Sequence, residues 1–171
     1  NGKDDLAVSR IVNVPKRGIG ATSIGKITIF ASANDYSLYD AMCRARVISG
    51  LGKAADKIGR FTDMIEDFRG RIKREDYTLR QLIEDILTET GYKAELEEDG
   101  DVEAESRLEN INELIGKVVT YCEETENPTL EEFLEEVSLV ADVDALDQSE
   151  SRVTLMTLHS AKGLEFENVY L

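Results

Sequence analysis

Between Val153 and Leu171 runs V-T-L-M-T-L-H-S-A-K-G-L-E-F-E-N-V-Y-L, which holds the single histidine of the chain, His159, together with Lys162 and Glu165. An imidazole, a cation, a carboxylate and the hydroxyls of Thr157 and Ser160 suit contact with nucleotide or nucleic acid. A lone histidine beside a strand is more commonly buried and hydrogen-bonded, but its hydroxyl neighbours favour a polar loop contact. Gly20-Ala21-Thr22-Ser23-Ile24-Gly25-Lys26 has the spacing of a phosphate-binding loop. That loop needs Ser or Thr directly after the lysine to reach magnesium, and Ile27 stands there instead. Ser49-Gly50-Leu51-Gly52-Lys53 misses the first glycine and the hydroxyl. No Cys, His or carboxylate cluster has metal-ligand spacing, and no catalytic triad is visible.

Pro15-Lys16-Arg17-Gly18-Ile19-Gly20 reads as a hairpin between two helices. Paired glycines allow positive φ and a close backbone approach to a ligand. Backbone N–H groups at the following helix start form an anion site, with Lys16 and Arg17 beside them. Such a device grips a duplex backbone without reading bases. The same residues also suit a simple tight turn.

The elements that must position these groups are helical. Leu6, Val8, Ile11 and Val12 predict a short helix ended by Pro15 and Gly18. Thr22 or Ser23 can cap a second, carrying Ile24, Ile27, Ile29 and Phe30. A third runs from Ser37. Residues 51–73 place Ala54, Ile58, Phe61, Ile65, Phe68 and Ile72 at threes and fours. Thr78 opens another helix and Gly91 closes it. The acidic run Glu95 to Glu105 reads as a solvated loop or frayed helix, and helical spacing resumes at Leu108 and continues to Cys122. Thr129 with Glu132 makes a capping box for Leu130, Phe133, Leu134, Val137 and Val140. Asp142 to Ser151 is a polar linker. Val153, Leu155, Thr157 and His159 then alternate as a strand does, and a second apolar run begins at Phe166. A chain ending in mid-strand reads as a piece of a larger protein.

At 171 residues one domain is the default, and 42% hydrophobic against 32% charged residues is ordinary for a soluble globular chain. No apolar stretch approaches a membrane span, no signal peptide is visible, and two cysteines cannot form a disulfide framework. A cytoplasmic protein is the plain expectation. The net charge of −15 is unevenly spread: residues 1–80 carry 15 Lys/Arg against 10 Asp/Glu, and residues 81–171 carry 5 against 25. The basic half can approach phosphates, while the acidic half repels them. Glu131, Glu132, Glu135 and Glu136 read as a solvated helix face.

Met156-Thr157-Leu158-His159-Ser160-Ala161-Lys162-Gly163-Leu164-Glu165-Phe166 closely resembles helicase motif V of the UvrD/PcrA/Rep group of superfamily 1 DNA helicases. Arg10 to Gly20, R-I-V-N-V-P-K-R-G-I-G, looks like the opening of that group's accessory 2B domain. Ser106-Arg107-Leu108-Glu109-Asn110-Ile111 is similar to a segment inside 2B. The matches fall in family order, span essentially the whole chain and lie nearest the PcrA-like bacterial members. The resemblance implies a mainly α fold, a helical 2B-type domain over 1–150, with a short β segment of the motor domain 2A at 151–171. It implies that Lys16, Arg17, Gly18, Ile19, Gly20 and Thr22 hold duplex DNA. In the parent protein, Thr157 and His159 would face single-stranded DNA and Glu165 the nucleotide sugar.

The function so implied is that of part of an ATP-dependent 3'-5' DNA helicase, whose 2B domain contacts duplex ahead of the junction and regulates unwinding in repair or replication. ATP and magnesium belong to the parent. The Walker motifs and the arginine-bearing motif VI are outside this sequence, so no catalytic residue, metal site or cofactor is expected within it. Expected partners are duplex DNA at a junction, held weakly in isolation, the helicase domains 1A, 1B and 2A, and repair or transcription proteins, with no membrane. The alternative is an autoinhibitory or protein-interaction module that binds a basic partner through its acidic half.

Overall fold

The structure is a computed structural model that describes residues 3–143. The described residues form α1 (Asp5–Ile11), α2 (Ala21–Asn34), α3 (Leu38–Cys43), α4 (Lys53–Arg71), α5 (Leu79–Glu89), α6 (Tyr92–Asp99), α7 (Val102–Glu124) and α8 (Leu130–Val143), with a 3-10 turn at Ala45–Val47. Contacts divide the chain into two units, Asn1–Phe133 and Leu134–Leu171. The first unit contains α1 to α7.

Polar side chains close the starts of α1, α3, α5, α7 and α8. Asp4 Oδ1 accepts the Ala7 N–H at 3.0 Å, and Ser37 Oγ accepts that of Asp40 at 3.1 Å. Thr78 and Gln81 form a reciprocal capping box: Gln81 N–H donates to Thr78 Oγ1 at 3.2 Å and Thr78 N–H to Gln81 Oε1 at 2.8 Å. Glu132 N–H donates to Thr129 Oγ1 at 3.2 Å. Each such cap contributes about 1 kcal/mol.

Two apolar clusters hold these helices. The first joins α1 to α4 through Val8, Val12, Ile19, Ile27, Leu38, Met42, Leu51, Ile58 and Phe61. Ile27, Met42 and Ile58 are fully enclosed, and burying a side chain of that size contributes roughly 1.5–3 kcal/mol. The second gathers Leu96, Ala104 and Ile111, flanked by Leu87, Tyr92, Leu108 and Ile115, where α5, α6 and α7 meet. Arg71 on α4 reaches Asp85 at 3.0 Å and Glu89 on α5, and it also pairs with Asp67 at 2.5 Å on its own helix. Tyr77 Oη donates to Asp85 Oδ2 at 2.6 Å. The link between α4 and α5 is therefore partly ionic.

Two expectations need correction. The acidic run Glu95 to Glu105 is neither loop nor frayed end: α6 and α7 pass through it, parted at Gly100 and Asp101. Leu96 and Ala104, 4% and 3% exposed, anchor it in the second cluster, and Asp101 Oδ1 caps α7 through the Ala104 N–H at 2.7 Å. Two apolar contacts and a cap outweigh the charge pattern, because the carboxylates need only the solvent side of each helix. The expected short β segment is also not borne out. The described residues contain no strand, and 151–171 lies outside them, so the fold class is mainly α alone. Alternation makes a strand only where a neighbouring strand takes its backbone groups, and no described residue offers one.

Gly25 lies exposed in α2, with nothing within 4 Å of where a Cβ would stand, and nothing in the structure explains it. Gly25→Ala is expected to stabilise the protein by about 0.4–1 kcal/mol, raising the midpoint of thermal unfolding by about 2–4 °C or less. A calorimetric scan of the two proteins checks this.

Candidate nucleic-acid interface

Between α1 and α2 the chain must turn within Val12–Gly20 while burying Val12 and Ile19, which are 3% and 2% exposed. The Val14–Pro15 peptide is cis, and Gly18 takes φ +66°. The carbonyls of this turn have neither a helix nor a sheet to receive them, so another donor is required. Arg17 is that donor. Its Nη1 group lies 3.0 Å from Ile11 O, 3.0 Å from Val14 O, 3.2 Å from Pro15 O and 3.4 Å from Val12 O. The guanidinium carbon sits 5.4 Å from the centre of the Phe61 ring, a cation–π contact that fixes the plane of the group. Burial lowers the Arg17 pKa from its ordinary value, and the nearby Glu95 carboxylate acts in the opposite sense. Asn13 holds the other side of the turn: its Oδ1 accepts the Arg17 N–H at 2.9 Å and the Ile19 N–H at 3.2 Å.

The result is a turn clamped from inside and bare outside. Ile19 points into the core while Gly18 and Gly20 on either side are exposed. Gly20 is the N-cap of α2, and no side chain caps that helix. The N–H groups of Ala21 and Thr22 are left without a side-chain acceptor, while Ser23 N–H donates to Gly20 O at 2.9 Å. Thr22 and Ser23, the expected caps, lie inside the first turn instead, with Thr22 exposed. Lys16 is exposed, and its backbone N–H is 3.5 Å from Glu95 Oε1.

A second glycine turn stands beside the first. Gly50 and Gly52 have φ +80° and +51°, and Gly52 opens α4, again without a side-chain cap. Each turn is braced by a lysine from the helix that follows the other. Lys57 Nζ on α4 donates to Gly18 O at 3.2 Å, and Lys26 Nζ on α2 donates to Gly50 O at 2.5 Å.

The structure thus brings Lys16, Arg17, Gly18, Ile19, Gly20 and Thr22 together, but turns the Arg17 guanidinium inward. Asn13, Lys57, Phe61 and Lys26 were missed by sequence reasoning. Asn13 carried a local signal, an asparagine two residues before a proline in a turn, whereas the lysines act across 39 and 24 residues and left none. The spacing Gly20–Lys26 is not a cradle, since residues 21–26 lie within α2. Arg107 of the Ser106–Ile111 segment pairs with Glu103 at 2.5 Å on α7, while Leu108 and Ile111 enter the second cluster. Thr157, His159 and Glu165 lie outside the described residues. Among the described residues no group of His, Cys, Asp or Glu could hold a metal, and no helix is long and apolar enough to cross a membrane.

The chain belongs to the UvrD-like helicase C-terminal domain family, whose pattern matches residues 1–171. It is similar to the ATP-dependent DNA helicase PcrA of Bacillus subtilis (strain 168), 42% identical over 178 residues that cover 100% of this chain and 24% of that protein. To the PcrA of Staphylococcus aureus (strain Mu50 / ATCC 700699) it is 39% identical over 174 residues, covering 100% and 23%. The chain spans about a quarter of the length of the curated relatives it matches.

The two exposed glycines of the turn should respond differently to a methyl group. Gly18→Ala must hold φ +66° and displace the Lys57 ammonium, since a Cβ there would collide with Nζ. It is expected to cost roughly 1–2 kcal/mol. Gly20→Ala, with nothing within 4 Å of the added atom, should stay within about 0.5 kcal/mol. Urea midpoints at unchanged m-value check the contrast.

Proposed function

We propose that this chain is the duplex-contacting accessory region, 2B, of an ATP-dependent 3'-5' DNA helicase, with residues 1–150 forming that region and 151–171 the adjoining motif V of domain 2A. It grips duplex ahead of the unwinding junction and so regulates unwinding, in repair or replication. The observation that carries this reading is the bare outer face of the Pro15–Gly20 turn, where exposed Gly18 and Gly20 flank a buried Ile19 and open an uncapped α2. The PcrA relatives bear the name ATP-dependent DNA helicase, which supports the parent activity.

Roles follow from placement. The backbone around Gly18, Gly20 and Thr22 meets a phosphate with N–H groups at the positive end of α2. Lys16 adds a mobile charge, Ile19 anchors the turn, and Arg17 serves by holding the turn's carbonyls from behind. In the whole helicase, Thr157 and His159 meet single-stranded DNA and Glu165 the nucleotide sugar, and ATP with magnesium is bound by parts this sequence does not include. The remaining domains 1A, 1B and 2A and a set of repair or transcription proteins are the protein partners, in the cytoplasm. A second reading, an interaction or autoinhibitory module, is favoured by the 25 Asp/Glu against 5 Lys/Arg of residues 81–171.

One titration separates them. With few phosphate contacts on a net-acidic body, duplex should bind with Kd of roughly 10⁻⁴ M or weaker at physiological salt. Amide chemical shifts are expected to move at Gly18–Thr22 on adding duplex, and to return as salt is added. Shifts confined to residues 95–140 would reject the placement in favour of the acidic module.

A further inference from the structure

Beneath the clamped turn lies a recess of about 280 Å³ lined by Arg17, Lys57, Arg60, Phe61 and Met64. Its cations are not equivalent. Arg17 Nη1 is committed to the turn's carbonyls. Lys57 donates one N–H to Gly18 O, and an ammonium has three to give. Arg60 lies one helical step further along α4, on the same face as Lys57, is exposed, and has no hydrogen bond or ion pair among the described residues. The walls are the ring of Phe61 and the thioether of Met64.

The turn uses one Lys57 N–H, and no described group pairs with Arg60. A recess with two cationic side chains on one side, each with unused N–H donors, fits a singly charged oxyanion. The apolar wall opposite fits the carbon face of a sugar. We propose that this recess is a second phosphate subsite, taking a backbone phosphodiester of the duplex strand gripped by the hairpin, with Lys57 and Arg60 as its ligands and the deoxyribose against Phe61 and Met64. The inference rests on the duplex-contact reading and extends it from a single turn to an adjoining face of α4. Lys57 joins the two: the same ammonium holds Gly18 in place and meets the phosphate, so the turn is firmest when the subsite is filled.

The test is the salt dependence of duplex binding by the intact chain. Each phosphate contact contributes about 0.9 to the slope of log K against log salt for B-form DNA. Lys57→Met and Arg60→Met are each expected to flatten the slope by about that amount, Lys57→Arg to restore it, and Lys73→Met, at an exposed lysine beyond α4, to leave it unchanged. A residue that only shaped the fold would weaken binding at unchanged slope. Arg60 makes no hydrogen bond or ion pair with the turn, so Arg60→Met keeps the test valid even where Lys57→Met loosens the hairpin. Unchanged slopes for both Met variants overturn the subsite while leaving hairpin binding intact. Inorganic phosphate that shifts the Arg60 side-chain signals as strongly as duplex does, at equal phosphate concentration, overturns the assignment to a DNA backbone. A wild-type chain showing no duplex-induced shift at Gly18–Thr22 overturns the underlying reading and the inference with it.

Discussion

The interaction on which the candidate interface depends is one guanidinium and the carbonyls it collects. Between α1 and α2 the chain must reverse while sending Val12 and Ile19 into the core, which leaves the carbonyls of residues 11–15 facing one another without a helix or strand to receive them. Arg17 answers several at once and rests on Phe61. Asn13 draws in the N–H groups of Arg17 and Ile19 from the opposite side. The turn's inner surface is saturated, and its outer surface is left to a ligand.

That division has an electrostatic counterpart along the chain. Residues 1–80 hold the hairpin, the second glycine turn and an excess of cations, while residues 81–171 hold an excess of carboxylates. The two lysine braces tie α2 to the turn before α4 and α4 to the turn before α2. Both glycine turns therefore rest on one small apolar cluster, and a change in that cluster reaches the interface. On the acidic side, α6 and α7 keep their carboxylates outward and are held by Leu96, Ala104 and Ile111. An acidic surface next to a basic one disfavours wrapping of nucleic acid around the whole unit.

Much of the fold could be read from the chain. Periodicity located α4, α5 and α7, and the caps at Ser37, Thr78 and Thr129 stand where polar residues precede apolar stripes. The hairpin was legible too, from paired glycines after a proline. Illegible features share one cause: each depends on atoms far apart in sequence. Leu96 and Ala104 became helical anchors because of α7 and α5, which a local charge count cannot sense. Thr22 and Ser23 are good capping residues, but Ile19 must be buried, and that requirement sets the start of α2 at Gly20. Arg17 reads locally as a phosphate ligand, and only the convergence of carbonyls from 11 to 15 turns it inward. The alternating stretch 153–159 carries a strand pattern whose partner strands are not among the described residues.

Arg17 holds the hairpin through Nη1 and through a guanidinium plane laid over Phe61. Substituting Arg17→Lys separates the two, because lysine keeps a cationic N–H donor but lacks the planar group over Phe61. The sharpest measurement is native-state hydrogen exchange of the Ile19 amide, which donates to Asn13 Oδ1, in this variant. Exchange there should be faster by roughly tenfold or more, as expected for loss of even one charge-assisted hydrogen bond, with exchange at Leu108 and Ile111 unaltered. Protection at Ile19 equal to that of the parent chain would contradict a geometric role for Arg17.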